Sequence, residues 1–169
     1  MGGRTEHAIP RGLSIRHDLK PGDVGYLTYL HGVLYAKEYG WDHTFEAYMA
    51  GPLAEFAKSH NERERIWIVE HEGKVAGSIG IVGAAPEQAQ LRWFLLRPEL
   101  RGRGLGRLLV EQAIHFCRES GYALVYLWTT SDLRAAAHLY QSAGFRLIKS
   151  LTHQQWGATV TEQRYDLRL

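Results

Sequence analysis

A glycine-rich loop that leads directly into an amphipathic helix constrains the fold of this chain more than any other segment. The loop spans Arg101 to Gly106 and carries glycine at alternate positions. From about Gly104 to Ser120, apolar residues recur every three or four positions, which predicts a helix with one apolar face. A helix N-terminus has unpaired amides and about half a positive charge, and glycine lets the backbone approach a ligand closely. The segment therefore predicts an anion-binding loop, with a tight turn that binds nothing as the structural alternative.

Five arginines lie in or near this loop, although the whole chain is almost neutral. The formal net charge is +2, with 20 basic and 18 acidic residues, which is too mild for a general nucleic-acid-binding surface. The arginines are Arg92, Arg97, Arg101, Arg103 and Arg107, and their clustering favours a small anionic ligand. Residues 123–128 carry no acid, which argues against a dinucleotide-binding fold, and no Gly-Lys-Ser or Gly-Lys-Thr marks a P-loop.

Apolar periodicity divides the 169 residues into helices and strands. We expect a flexible leader at residues 1–11 and one domain at residues 12–169. Strands are predicted at residues 13–17, 66–71, 75–82, 90–96, 123–128, 145–148 and 160–169, and helices at about 24–39, 42–57, 104–120 and 133–142. Pro52 should bend or split the second helix because proline has no amide hydrogen. The order β-α-α-β-β-β-α-β-α-β-β predicts an α/β fold with a mixed sheet covered by helices.

Cysteine and histidine usage argues against several other classes of protein. The single cysteine, Cys117, allows no internal disulfide and favours a reducing compartment, and its apolar neighbours at helical spacing predict a buried thiol. Nine histidines occur without a His-x-x-x-His or His-Glu-x-x-His pair, so no metal site is expected. Neither a signal peptide nor a membrane-spanning segment is recognised, which predicts a cytoplasmic protein with no membrane partner.

Two segments resemble the signature motifs of the GNAT superfamily of N-acetyltransferases. Residues 94–106 are similar to the strand, proline turn and Arg/Gln-x-x-Gly-x-Gly/Ala loop of that family. Residues 136–145 resemble its Leu-Tyr-x-x-x-Gly-Phe motif, through Leu139, Tyr140, Gly144 and Phe145. The resemblance spans about residues 12–169. It implies a mixed, mostly antiparallel sheet flanked by helices, with a splayed central strand.

The resemblance implies acetyl-CoA as the donor and assigns residues to its binding. In this family the pantetheine arm pairs with the strand backbone that matches residues 94–96, and the pyrophosphate binds amides that match residues 102–107. The implied cofactor-binding residues are Phe94, Leu95, Leu96, Arg101, Gly102, Arg103, Gly104, Leu105, Gly106, Arg107 and Tyr140. Relatives often carry an asparagine seven residues before the tyrosine, whereas this chain has Leu133, so one cofactor contact departs from the pattern.

Tyr140 is the catalytic acid that the resemblance implies. Its hydroxyl would donate a proton to the leaving thiolate, while a backbone amide near Leu96 polarises the thioester carbonyl. A phenol with a pKa of about 10 is protonated at neutral pH. The alternative for Tyr140 is an aromatic that only packs the core. No motif singles out the general base, for which the candidates are Glu38, Glu70, His138 and His153.

An aromatic and acidic cluster lies in the region where the resemblance implies an acceptor site, between the first two helices and the last strands. It comprises Tyr35, Glu38, Tyr39 and Trp41. Such a cluster suits a cationic amine with an apolar body, although Tyr35 and Trp41 are equally suited to packing a helix junction. Together with residues 127–130 and 156–157, it resembles the acetyltransferase half of bacterial proteins in which a MarR-type winged helix is fused to a GNAT domain.

The predicted function is direct transfer of an acetyl group from acetyl-CoA to a primary amine of a small molecule or peptide. The alternative is a non-catalytic acyl-CoA-binding sensor or regulatory module. Leu133, which stands in place of asparagine, favours the alternative, and Tyr140 argues against it. The resemblance also permits a homodimer formed through edge strands, and no nucleic-acid partner is expected.

Overall fold

One seven-stranded sheet organises residues 9–169, the part of the chain that the computed structural model describes. The strands are β1 (Leu13–Arg16), β2 (Arg65–His71), β3 (Lys74–Ala85), β4 (Gln88–Leu96), β5 (Leu124–Thr130), β6 (Arg146–Gln155) and β7 (Ala158–Arg168). The helices in this range are α1 (Asp23–Tyr39), α2 (Thr44–Lys58), α3 (Leu105–Glu119) and α4 (Arg134–Ser142). They follow one another in the predicted order. Residues 1–8 of the predicted leader lie outside the described residues.

The sheet splits open at its centre. Its strand order is β1-β2-β3-β4-β5-β7-β6, and every neighbouring pair is antiparallel except β4 and β5. These two parallel strands pair only over residues 88–90 and 124–126. Beyond this short contact the two strands have no ladder between them, so β4 and β5 diverge. The predicted α/β fold, with a mixed, mostly antiparallel sheet and a splayed central strand, is confirmed.

The helices cover the two faces of the sheet and create two cores. Side chains alternate between faces along a strand, and in β2 Trp67 joins the core under α3 while Ile66 and Ile68 join the core under α1 and α2. Cys117 of α3 is fully buried, which confirms the predicted buried thiol, and burial raises the pKa of this thiol to about 12. Among the helices of residues 9–169, none has the length and apolar character needed to cross a bilayer.

The predicted end of β6 is wrong, and the predicted split of the second helix does not occur. Helix α2 runs without interruption through Pro52, because Phe45, Met49, Leu53 and Phe56 pack at helical spacing on both sides of the proline. Tertiary packing therefore outweighs a local cost of about 3 kcal/mol. Strand β6 continues to residue 155 rather than ending at 148. Nine of its ten residues are exposed, so it lacks the apolar alternation from which strands are predicted.

Candidate active site

A cavity of about 410 Å³ lies where β4 and β5 diverge. The glycine loop and the first turn of α3 form one end of its wall, and α1 and α2 form the other. Strands β4, β5 and β7 and helix α4 complete the lining. The cavity therefore joins both segments that the sequence singled out, the predicted cofactor loop and the aromatic cluster.

The glycine loop presents unpaired amides to this cavity. Gly102 and Gly104 have φ values of 73° and 81°, a left-handed conformation that favours glycine. Gly104 is the N-cap of α3, and no side chain caps the helix. Within residues 9–169, none of the backbone amides from Gly102 to Arg107 donates a hydrogen bond. The loop and helix terminus thus form an anion-binding surface, as expected at an uncapped helix start.

Gly106 has a different role, because it allows close packing. A Cβ atom at this position would lie 3.3 Å from Leu139 Cδ2 and 3.4 Å from Phe94 Cζ. The first turn of α3 therefore approaches both α4 and β4 closely. Leu105 contributes only backbone to the loop, since its side chain is buried in the core, and Arg103 is exposed and does not line the cavity.

Arg101 holds the loop in place. Its Nε donates a hydrogen bond to the Leu96 carbonyl at 2.9 Å, and its Nη1 donates to Glu38 Oε1 at 2.7 Å. One side chain therefore connects the loop to the end of β4 and to the last turn of α1. The predicted cofactor residue Arg101 and the predicted acceptor residue Glu38 thus form an ion pair with each other.

A bulge in β4 exposes backbone to the cavity. Trp93 has a φ of 51°, and the register with β3 shifts between Ser78 and Gly80 opposite this residue. The Ser78 hydroxyl donates to the Trp93 carbonyl at 2.6 Å. The Arg97 amide donates to Ala76 on β3. Since successive amides alternate between the two edges of a strand, the Leu96 amide faces the cavity.

Tyr140 combines a packed ring with an unpaired hydroxyl. The side chain is 5% exposed, and its ring lies 6.1 Å from Phe94, 5.9 Å from Phe145 and 6.3 Å from Tyr165, measured between centroids. Tyr140 lines the cavity, and its hydroxyl makes no hydrogen bond within the described part of the chain. Burial, with a smaller effect of the nearby Tyr35, raises the pKa of Tyr140. The phenol is therefore protonated at neutral pH.

The predicted acceptor cluster is part of a larger aromatic wall. Tyr35 and Trp41 are buried and stack at 5.3 Å, and Tyr39 lies 5.3 Å from Trp41. The wall continues to Trp156, whose ring is 4.7 Å from Trp41. Sequence reasoning missed Phe45, Tyr48 and Met49 as cavity residues because their helical spacing indicated only a packed face. Tyr35 and Trp41 pack the helix junction and also line the cavity, and their contact with an acceptor stays a prediction.

Three of the four predicted base candidates lie outside the cavity. Glu70 pairs with Arg16 at 2.7 Å on the β1–β2 side of the sheet, and His138 is exposed on α4. His153 lies 3.0 Å from Glu162 on the neighbouring strand β7. Glu162 lines the cavity, and only the cross-strand register reveals its position.

Several buried polar atoms along the cavity have no partner within residues 9–169. They are His31 Nε2, Trp93 Nε1, Thr129 Oγ1 and Thr130 Oγ1. Burial lowers the pKa of His31 to about 4, so its imidazole is neutral at physiological pH. Buried polar groups are usually hydrogen-bonded, so these four atoms are exceptions among the residues that line the cavity. No group of three His, Cys, Asp or Glu side chains in the described range is placed to hold a metal ion.

Comparison with solved structures shows the same fold in acetyltransferases. An acetyltransferase from Streptococcus agalactiae 2603 is 22% identical, with a TM-score of 0.78, over 94% of this chain and 99% of that one. The yncA protein of Salmonella typhimurium, solved with its cofactor acetyl-CoA, is 17% identical, with a TM-score of 0.73, over 93% and 94% of the two chains.

Sequence relatives are also named acetyltransferases. A Xenopus tropicalis protein named probable N-acetyltransferase camello is 29% identical over 84% of this chain and 71% of its own length. YjgM of Escherichia coli K12, an uncharacterized N-acetyltransferase, is 38% identical over 48% of this chain and 51% of its own length. The model of the acetyltransferase (GNAT) family matches residues 29–145, from α1 through the glycine loop to the end of the Tyr140 motif. With the glycine loop, the splayed strand and this match in agreement, the chain belongs to the acetyltransferase (GNAT) family.

Proposed function

We propose that this protein is an acetyl-CoA-dependent N-acetyltransferase that transfers the acetyl group directly to a primary amine of a small molecule or peptide. One observation carries the proposal. The cavity between β4 and β5 brings the unpaired loop amides, the Tyr140 hydroxyl and an aromatic wall into contact with the same space. Direct transfer requires both substrates to meet in one cavity, and this cavity has a different chemistry at each end.

The donor end fits acetyl-CoA. The amides from Gly102 to Arg107 suit a pyrophosphate, and Arg107 at the cavity edge adds positive charge. The open edge of β4 at residues 94–96 offers backbone groups to the amides of a pantetheine arm. Arg101 is proposed to act by holding the loop, because its Nε and Nη1 already donate to the Leu96 carbonyl and to Glu38. The resemblance to MarR-linked acetyltransferases and the cytoplasmic location remain predictions.

The chemistry uses residues on opposite sides of the splay. The Leu96 amide, which faces the cavity, would donate to the thioester carbonyl, and the Tyr140 hydroxyl would donate its proton to the leaving thiolate. Because its pKa is raised, Tyr140 is protonated at neutral pH and can donate this proton to the thiolate.

The acceptor end is the aromatic wall. We propose that Tyr35, Tyr39 and Trp41 contact the apolar part of the acceptor, together with Trp156. Glu38 does not supply a free carboxylate, since Arg101 neutralises it. We therefore place the proton acceptor for the amine at Glu162, which lines the same cavity, is 15% exposed and pairs in the described range with His153, at 3.0 Å, rather than with an arginine.

Release of free thiol from acetyl-CoA tests this proposal. The protein should be assayed against amines, amino acids, polyamines, aminoglycosides and peptides, and mass spectrometry should find an acceptor that is 42 Da heavier, the mass of an added acetyl group. Binding of acetyl-CoA with no thiol released across the panel would contradict catalysis and favour the sensor alternative. Failure to bind acetyl-CoA at all would contradict both functions.

A further inference from the structure

Arg92 is a charged residue in the cavity without a charged partner. It projects from β4, is half-buried, and donates one hydrogen bond, to the neutral Gln90 side chain at 3.1 Å. Its guanidinium lies 5.9 Å from the Tyr48 ring and 5.7 Å from the Trp93 ring. Within residues 9–169, no carboxylate oxygen lies within 4.0 Å of it.

Two other partly buried arginines of this sheet have such partners, whereas Arg65 of β2 lies over the rings of Trp67 and Phe116 and has none in the described range. Arg16 pairs with both Asp23 and Glu70, and Arg164 pairs with Asp166, each at 2.7 Å. A guanidinium in a partly desolvated cavity is stabilised by a carboxylate or phosphate, with which it forms two parallel hydrogen bonds. Unlike Arg65, Arg92 lines the cavity, so its guanidinium is placed to bind an anionic group of a ligand.

This anionic group belongs to the acceptor rather than to the donor. Arg92 packs against Tyr48 of α2, on the face of the sheet covered by α1 and α2. The glycine loop leads into α3, which covers the opposite face. The phosphates of the donor and the anion at Arg92 therefore occupy different ends of the cavity.

Glu162 provides the opposite charge in the acceptor end. It lies on β7 opposite Thr130 of β5, and β5 has already diverged from β4 at this level, so the splay of the sheet separates Glu162 from Arg92. Arg92 and Glu162 do not contact each other, yet both act on Tyr48. Burial raises the pKa of the Tyr48 phenol, Arg92 opposes this rise, and Glu162 adds to it. The space around Tyr48 thus has a positive and a negative side.

We propose that the acceptor is an amino acid with an apolar or aromatic side chain, whose carboxylate binds Arg92 and whose amine faces Glu162. This inference rests on the proposed acetyltransferase function. The side chain of the acceptor contacts Trp41, Tyr48 and Trp156, which form the wall between the two charges. The transfer forms the amide N–C bond and breaks the thioester C–S bond. The amine proton goes to Glu162, and the thiolate receives the proton of Tyr140.

Matched pairs of acceptors test the proposal with the unaltered protein. Phenylalanine and phenethylamine, or tryptophan and tryptamine, differ only in the carboxylate. We expect kcat/KM for thiol release to be about 10- to 100-fold higher for the amino acid, the range for a hydrogen-bonded charged group. Equal or faster turnover of the decarboxylated amine would overturn the proposal while leaving the acetyltransferase function intact. If no acceptor releases thiol, calorimetry should measure phenylalanine binding in the presence of CoA. Absence of binding would overturn the proposed amino-acid site.

Substitution of Arg92 separates a binding role from a structural one. Arg92→Gln should lower the ratio of kcat/KM for phenylalanine over phenethylamine about 10- to 100-fold, and Arg92→Lys should restore part of it. Arg146→Gln, which removes an exposed arginine from β6, should leave the ratio unchanged. An Arg92→Gln protein in which both acceptors lose activity equally would show that Arg92 only supports the fold.

Discussion

Tyr140→Phe removes one oxygen atom from the centre of the cavity and leaves the ring in place. The ring packs against Phe94, Phe145 and Tyr165 with centroid distances of about 6 Å, and phenylalanine preserves these contacts. Because the hydroxyl makes no hydrogen bond within residues 9–169, its removal breaks none there. We therefore expect the free energy of unfolding to change by less than about 1 kcal/mol.

The same substitution should have a large effect on turnover. A positioned general acid contributes about 10²- to 10⁴-fold to the rate, so kcat should fall by that factor while the Kd for acetyl-CoA stays close to that of the unaltered protein. Since burial raises the pKa of Tyr140, loss of its proton should not limit kcat below about pH 10. Steady-state kinetics from pH 6 to 10, calorimetric titration with acetyl-CoA and urea unfolding measure the three quantities.

Tyr165→Phe is the matched control. Tyr165 is equally buried, its ring lies 6.3 Å from that of Tyr140, and it does not line the cavity. Its substitution should leave kcat within about twofold. A Tyr140→Phe enzyme with unaltered kcat would refute the assignment of the acid, and equal losses in both variants would show that packing of the aromatic cluster, not proton donation, supports turnover.

Two further predictions concern the scaffold. In Gly80→Ala the new Cβ would lie 2.5 Å from Trp93 Cε3. The free energy of unfolding should therefore fall by about 1–3 kcal/mol in urea unfolding, and kcat/KM should fall with it. Gly51→Ala, on an open helix surface, is the control and should be neutral or stabilising. A stable, fully active Gly80→Ala protein would contradict the packing of the bulge. Burial alone would raise the pKa of Asp23, but hydrogen bonds, chiefly from Arg16, lower it. The ionised carboxylate therefore stabilises the fold above about pH 4, and this stabilisation is lost as the pH falls through the lowered pKa. Asp23→Asn should therefore lower the unfolding free energy by about 2 kcal/mol at pH 7, and the difference from the unaltered protein should close below pH 4, as measured by urea unfolding across pH. A difference independent of pH would refute the ion pair.

The order of elements and the two family motifs could be predicted because their signals are local. The apolar spacing that predicts helix α3 extends over about four turns, and the glycine loop is recognised from six consecutive residues. Residues 149–155 of β6 could not be predicted, since an exposed edge strand has no buried side to impose alternation. The split expected at Pro52 does not occur, because packing against the sheet outweighs the local preference of proline.

Some parts of the candidate site could likewise be predicted from local sequence, and others could not. The sequence predicted the glycine loop and the aromatic cluster from neighbouring residues, and its resemblance to the GNAT motifs predicted the role of Tyr140. The tertiary structure decided that Arg101 is held by Glu38, 63 residues away, and that Glu162 and Arg92 face the same cavity. These relations depend on strand order and register, which arise from contacts between distant segments. Local sequence carries no record of such contacts, and so the acceptor end of the cavity became visible only in the folded chain.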